Sequence, residues 1–341
     1  MTDDEIGEIV AFNNIVAFEA VPEDPPTPTD QAIASQRAVP ERYIRTTVLV
    51  RSAEGDIIGS TGLRIDPDND DNPDVISGSV IVRADHRRNG VGTELLRYFV
   101  ALCRREERDR ILGSTNGRLP SGEVFAQTLG MEAKQAMHVN HLVIADVDRG
   151  LMDKWVSDGP QRAEDYEIFG WDGDVPEEHM VDFLDAVLVM NTAPRDDLEI
   201  NDFTLTAEEI REGEKQMHAI GFESWQLVAR RKSDGAWAGI HNVMWNPAEP
   251  DVVHVGATGV RPEHRGHALG KWLKAVMTLR VMDERPNVTE IRTGNADSND
   301  AMLRINKEMG YKPWISATTW EIATDAAEDW LKNRGLELPA V

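Results

Sequence analysis

Two eleven-residue stretches of this chain, VRADHRRNGVG at 82–92 and VRPEHRGHALG at 260–270, lie at a constant offset of 178, with five of eleven positions identical. Asp85/Glu263 and Val91/Leu269 are close replacements. Each stretch follows an apolar, strand-like run, VISGSVIV in the first copy and VVHVGATGV in the second. Each also opens a pattern of helical spacing; in the second, Leu269, Trp272, Leu273, Val276 and Met277 recur on one face. The period far exceeds the 20–50 residues of a solenoid repeat. The chain therefore reads as two tandem domains of one fold.

A strand that runs straight into a helix leaves the first N–H groups of that helix unpaired and pointing one way. With the helix dipole added, such an end attracts anions, and a pyrophosphate fits it. Gly266, Ala268 and Gly270 allow close approach, and Arg265 and Lys271 supply charge. In a single copy a solvated strand-to-helix loop would look the same. Two copies at matching places make the anion site the stronger reading.

Arg87-x-x-Gly90-x-Gly92 resembles the acetyl-CoA signature of the GNAT superfamily of N-acetyltransferases, and Arg265-x-x-Ala268-x-Gly270 resembles it with Ala in the middle. No Gly-Lys-(Ser/Thr) ending makes a P-loop, and neither turn has the third glycine of a dinucleotide fingerprint. TEIRTGNADSNDAMLRINKEMGYKP (289–313) is similar to the family's second signature, with Asp297 or Ser298 as helix cap. The segment 110–133 is a worn counterpart, in which Gly and Pro interrupt the expected helix. The resemblance implies an α/β fold of two GNAT-like domains, each a twisted, mostly antiparallel sheet flanked by helices. It implies acetyl-CoA as co-substrate, held by Val260, Arg261, Arg265, Gly266, His267, Ala268, Leu269, Gly270 and Lys271, with Asn299 near the pantetheine arm. In the first domain Val82, Arg87, Arg88, Asn89, Gly90, Val91 and Gly92 take the matching role. Tandem GNAT enzymes in which the halves have diverged have this layout.

The remainder parses as two αβ units. YIRTTVLVRS and IIGSTGLRID form a hairpin in the first, and WQLVARRK and WAGIHNVMW do the same in the second. Polar VSDGPQRAED (156–165) reads as the linker, placing a degenerate domain at 1–160 and the chemical one at 161–341. Helices are expected near 177–191 and 207–219, with Thr206 and Glu209 as a capping box for the latter. PEDPPTPTDQ and DPDNDDNPD read as polar loops.

A net charge of −24 argues against nucleic-acid binding and would steer a cationic acceptor. Cys103 is the only cysteine, which excludes an internal disulfide and suits a reducing cytoplasm. No apolar run of membrane length is present. The chain is expected to be a monomer or homodimer.

Acetyl transfer to an amine needs a base for the amine proton. By resemblance, the position for it on the strand before the turn is His254, an imidazole being suited to proton transfer. The first domain has Ile76 there. Thr258 is expected on the same strand face as His254. Where many family members carry a Tyr acid, this chain has Asn306, and Ala126 in the first copy. Asn can hold a thiol but cannot protonate it. The expected function is N-acetylation of a small-molecule primary amine in the second domain, with His254 and Asn306 at the chemistry. Rival readings are a non-catalytic acyl-CoA-binding or scaffold protein and a protein lysine acetyltransferase.

Overall fold

The computed structural model describes residues 1–68 and 71–341, so two residues of the acidic loop at 66–74 lie outside the described part. In chain order the first helices are α1 (Asp3–Ala20) and α2 (Thr29–Ala38). The strands β1 (Ile44–Arg51), β2 (Ile57–Ile65), β3 (Val75–Ser77) and β4 (Ser79–Val82) follow. Next come α3 (Val91–Arg105), β5 (Arg110–Asn116) and α4 (Pro120–Leu129). The middle of the chain forms β6 (Glu132–Val143), α5 (Arg149–Arg162), β7 (Tyr166–Asp172), α6 (Met180–Val187) and α7 (Ala207–Ala219). It continues with β8 (Glu223–Arg231), β9 (Trp237–Asn246), β10 (Glu249–Val260) and α8 (Leu269–Glu284). The chain closes with β11 (Glu290–Ala296), α9 (Asp300–Met309), β12 (Lys312–Ala323) and α10 (Thr324–Lys332).

These elements form two compact units that do not divide at residue 160. Unit 1 comprises 1–136, 196–201 and 316–341; unit 2 comprises 137–195 and 202–315. Each half of the sequence thus gives its last strand to the other half's unit. Residues 137–143 of β6 pair antiparallel with β11 in unit 2, and 317–323 of β12 pair antiparallel with β5 in unit 1. The polar stretch at 156–165 is not a linker but the end of α5 and the turn into β7. Gly159 lies so close to the Trp272 ring that a Cβ there would stand 2.4 Å from it, so this stretch is packed rather than free.

In unit 1, β1, β2 and β4 form one antiparallel sheet. β3 instead pairs in parallel with β5. The strand 75–82 therefore splits at Gly78, half going to each sheet. A side chain there is excluded because a Cβ would meet the Phe99 ring at 2.0 Å. Helix α3 buries Leu95, Leu96, Phe99, Val100, Leu102 and Cys103 against this core. Ile322, Ala327 and Leu331, from the end of the chain, complete the same cluster. Pro120 does not interrupt α4 but begins it, at the position where its missing N–H costs nothing. The N-terminal α1 is fixed by a capping box between Thr2 and Glu5.

In unit 2 the strands run in the order β6-β11-β10-β9-β8-β7, with β10 and β11 parallel and the rest antiparallel. Its apolar core gathers Leu142, Trp225, Val253, Leu269, Leu273, Met277, Val281 and Ile291. α7 begins at the expected capping box of Thr206 and Glu209. The apolar segment near 177–191 forms α6 flanked by two short 3-10 turns rather than one long helix.

Candidate functional site

The repeated turns superpose in their bonding. Arg83 N donates to Ile58 O at 3.0 Å, and Arg261 N to Ala238 O at 2.9 Å. His86 N and His264 N each donate to the carbonyl of the preceding Arg. Arg87 Nε donates to Val82 O at 3.0 Å, and Arg265 Nε to Val260 O at 3.0 Å. The shared arginines thus tie each strand end to its own turn. Both turns need two left-handed residues. In the first these are Arg88 (φ 65) and Gly90 (φ 85); in the second they are Gly266 (φ 90) and Ala268 (φ 59). Glycine and non-glycine have changed places, and each copy keeps one strained side-chain-bearing residue.

In unit 1 the turn borders a cavity of about 710 Å³. Val80, Ile81 and Val82 of β4 line it on one side, and Ser114, Thr115 and Asn116 of β5 on the other. The divergence of β4 and β5 at Gly78 opens this space. Gly90 is the N-cap residue of α3 and lies in the wall, so the first N–H groups of the helix face the cavity mouth. Gly92 also lines it; a Cβ there would only touch Val82, Val80 and Phe125 at 3.7–3.8 Å. The charged lining residues are Arg87, Arg88 and Arg334, with no carboxylate among them. Arg87 is bound by Glu19 at 2.5 and 2.6 Å. Arg88 is exposed, and no acidic partner faces it among the described residues. Asn89 is exposed at the turn, and Val91 begins α3.

In unit 2 the corresponding cations are committed to the protein. Arg265 donates to Thr192 Oγ1 at 2.9 Å. Lys271 is held by Glu308 and lies 4.8 Å over Trp155, while Arg261 is held by Asp185. His267 rests 5.2 Å from the Tyr166 ring. Leu269 is buried, and the Cβ position of Gly270 lies 3.4 Å from Ile305. Asn299, rather than Asp297 or Ser298, caps α9, its Oδ1 accepting from Met302 N at 3.3 Å.

His254 is half-buried on β10, its Nε2 2.8 Å from Glu249 Oε2. Glu249 also meets Arg292, which reaches Glu290 and lies 3.9 Å over Trp314. Asn306 Nδ2 donates to Asn295 Oδ1 at 2.7 Å. His254 pairs with Arg292 on β11, three residues before Asn295. Side chains alternate along a strand, so these two neighbours point to opposite faces. The structure therefore does not bring His254 and Asn306 to one side of the sheet. Thr258 is likewise not on the face of His254. A bulge between Val255 and Thr258 adds a residue and flips the alternation, leaving Thr258 Oγ1 2.7 Å from His241 Nδ1.

Helix α8 places Lys274 beneath the sheet, where it is 1% exposed. Its ammonium has no hydrogen-bond partner among the described residues and lies 5.1 Å over the Tyr311 ring. Burial lowers its pKa to about 8. Burial, and then the charge of Lys274, drive the His241 pKa far below its usual value, so that imidazole is neutral.

Residues 11–131 match the model of the acetyltransferase (GNAT) family. No curated protein matches the chain. Among solved structures, a tandem GNAT protein from the clavulanic acid biosynthesis pathway, without AcCoA, aligns at TM-score 0.74 and 23% identity. That alignment covers 94% of this chain and 95% of the other. A GCN5-related N-acetyltransferase from Sphaerobacter thermophilus aligns at TM-score 0.65 and 13% identity, covering 95% and 94%. The fold is that of tandem GNAT proteins, and residues 11–131 carry the match to the GNAT family model.

Three contributors to these sites escape sequence reasoning. Glu19 lies far in sequence from the arginine it binds, α10 far from the cavity it helps to line, and Glu249 sits before a register shift that masks its pairing with His254.

Proposed function

We propose that this tandem GNAT protein transfers the acetyl group of acetyl-CoA to a primary amine of a small molecule, with the chemistry in unit 2 and an acyl-CoA site in unit 1. The cavity of unit 1 supports this most. It lies at an open helix N-terminus and is lined by three arginines and no carboxylate, in a chain of net charge −24. Its volume falls within the roughly 300–1,000 Å³ typical of small-molecule and cofactor sites. Backbone N–H groups of α3 and the uncommitted Arg88 suit a pyrophosphate, and Gly92 leaves the way open between β4 and β5. Bound acetyl-CoA supplies the thioester carbon that the amine attacks.

The lining of that cavity holds no Asp, Glu, His, Lys, Tyr or Cys, so nothing in it can accept an amine proton near neutral pH. The base of the unit 2 chemistry is assigned to His254. Glu249 accepts from its Nε2–H, which fixes the tautomer and leaves the Nδ1 lone pair for the amine proton. Glu249 itself is held by Arg292. The acidic surface favours a cationic acceptor.

The absence of a base among the described residues of that cavity's lining also supports a second reading, a non-catalytic acyl-CoA-binding protein. Release of CoA thiol from acetyl-CoA, followed across polyamines, aminoglycosides, amino acids and Lys peptides, separates the two. Turnover on a small amine that His254→Ala abolishes, with acetyl-CoA affinity unchanged, is the expected result. Turnover that survives the change removes His254 from the chemistry. Tight cofactor binding with no turnover on any amine leaves the binding protein as the function.

A further inference from the structure

The cavity of unit 1 is lined by Arg87, Arg88 and Gly90 of the α3 turn and also by Trp330 of α10 and Arg334 just beyond it. Arg88 and Arg334 are its two uncommitted guanidinium groups; neither has a carboxylate partner among the described residues. Two uncommitted guanidinium groups from distant parts of the sequence line one cavity, which suits a ligand with two anionic groups. CoA has such a pair: a pyrophosphate, and a phosphate monoester on the ribose of its adenosine.

The side chain of Arg334 is preorganised. Its guanidinium lies 3.6 Å from the centre of the Trp330 ring, and Nη1 donates to Trp330 O at 3.0 Å. The indole is fixed in turn, its Nε1 donating to Thr128 O at 2.9 Å. The backbone is equally fixed, because α10 ends in a Schellman motif. Gly335 (φ 71) donates to Lys332 O at 2.9 Å and Leu336 N to Leu331 O at 3.2 Å. Leu331 is fully buried, Leu336 and Leu338 pack on the same core, and Arg97 binds Glu337 O at 2.6 and 2.8 Å. A flat cation held this firmly loses little freedom on meeting a phosphate.

We propose that Arg334 binds the ribose phosphate of the 3′-phosphoadenosine end of CoA, with Trp330 as its positioning residue. The last helix of the second half of the sequence thereby selects the ligand of unit 1. This rests on the reading that unit 1 holds acyl-CoA.

Calorimetric titration with CoA and with 3′-dephospho-CoA tests it. Wild type is expected to prefer CoA by about tenfold or more, the scale of a charge-assisted hydrogen bond. Arg334→Gln is expected to bind both ligands alike, at the dephospho-CoA affinity. Trp330→Leu reduces the preference partly, and Arg88→Gln weakens both ligands by the same factor and keeps the preference. A preference for CoA that persists in Arg334→Gln overturns the assignment. Equal affinities in wild type overturn the phosphate subsite while leaving acyl-CoA binding intact. No binding of either ligand to wild type overturns the acyl-CoA reading of unit 1 and the subsite with it.

Discussion

Replacing Lys274 by Met should stabilise unit 2, because α8 buries an ammonium that no carboxylate answers. Burial lowers its pKa from the usual 10.5 to about 8. At about 1.4 kcal/mol per pH unit, holding the charge inside at pH 7 costs about 3 kcal/mol. The Tyr311 ring lies 5.1 Å away, and Met fills nearly the same volume without charge. The sign of the pH dependence follows from the lowered pKa. Between about pH 8 and 10.5 the unfolded chain binds more protons than the folded one, so wild-type stability rises with pH there. Below pH 8 the full penalty applies. Urea unfolding followed by tryptophan fluorescence is the assay, since seven of the nine tryptophans lie in unit 2. The variant should exceed wild type by about 3 kcal/mol at pH 7, and the gap should close towards pH 10.5. A less stable variant at pH 7, or a gap indifferent to pH, would refute the reasoning.

Ala268→Gly should raise the urea midpoint, by up to about 1 kcal/mol, because φ 59 strains a residue with a Cβ; a fall in midpoint would contradict that strain. Gly92→Leu should cut acetyl-CoA affinity by about tenfold or more, roughly 1.4 kcal/mol, by filling the space between β4 and β5. Unchanged calorimetric affinity in a folded variant would move the ligand out of that cavity. Cys103 is fully buried and its thiol is pushed up to about 12, so a thiol reagent at pH 8 should react only after unfolding. Reaction of the native protein within seconds would show that α3 opens.

The repeated turn is readable in the sequence because its geometry depends on local residues: two left-handed positions, an arginine that bonds five residues back, and a glycine facing the strand. The exchange of strands is not readable. β6 and β12 carry similar alternating patterns, and alternation specifies a buried face without naming the neighbour. For the same reason the division at 160 fails, although β7 does begin at Tyr166, directly after the polar stretch 156–165. The cavity of unit 1 is hidden by its chemistry. Sequence reasoning favours positions that can move protons, and this lining has none, while Gly92 and Gly122 leave space rather than a signal. Thr258 is misplaced by a bulge, which one extra residue in a Val- and Gly-rich strand does not announce.

The exchanged strands also set a timetable for synthesis. Residues 1–136 leave the ribosome without the strand and helix that complete their core, which come only with 316–341. At about 5–20 residues per second, the wait is roughly 10–40 seconds. During it β5 offers an open edge, and the surface that Ile322, Ala327 and Leu331 will cover stays wet. Unit 2 meets no such delay, since all its residues precede 316. The half that begins the chain is therefore the last to finish folding, and a chaperone that shields one edge strand would act on β5.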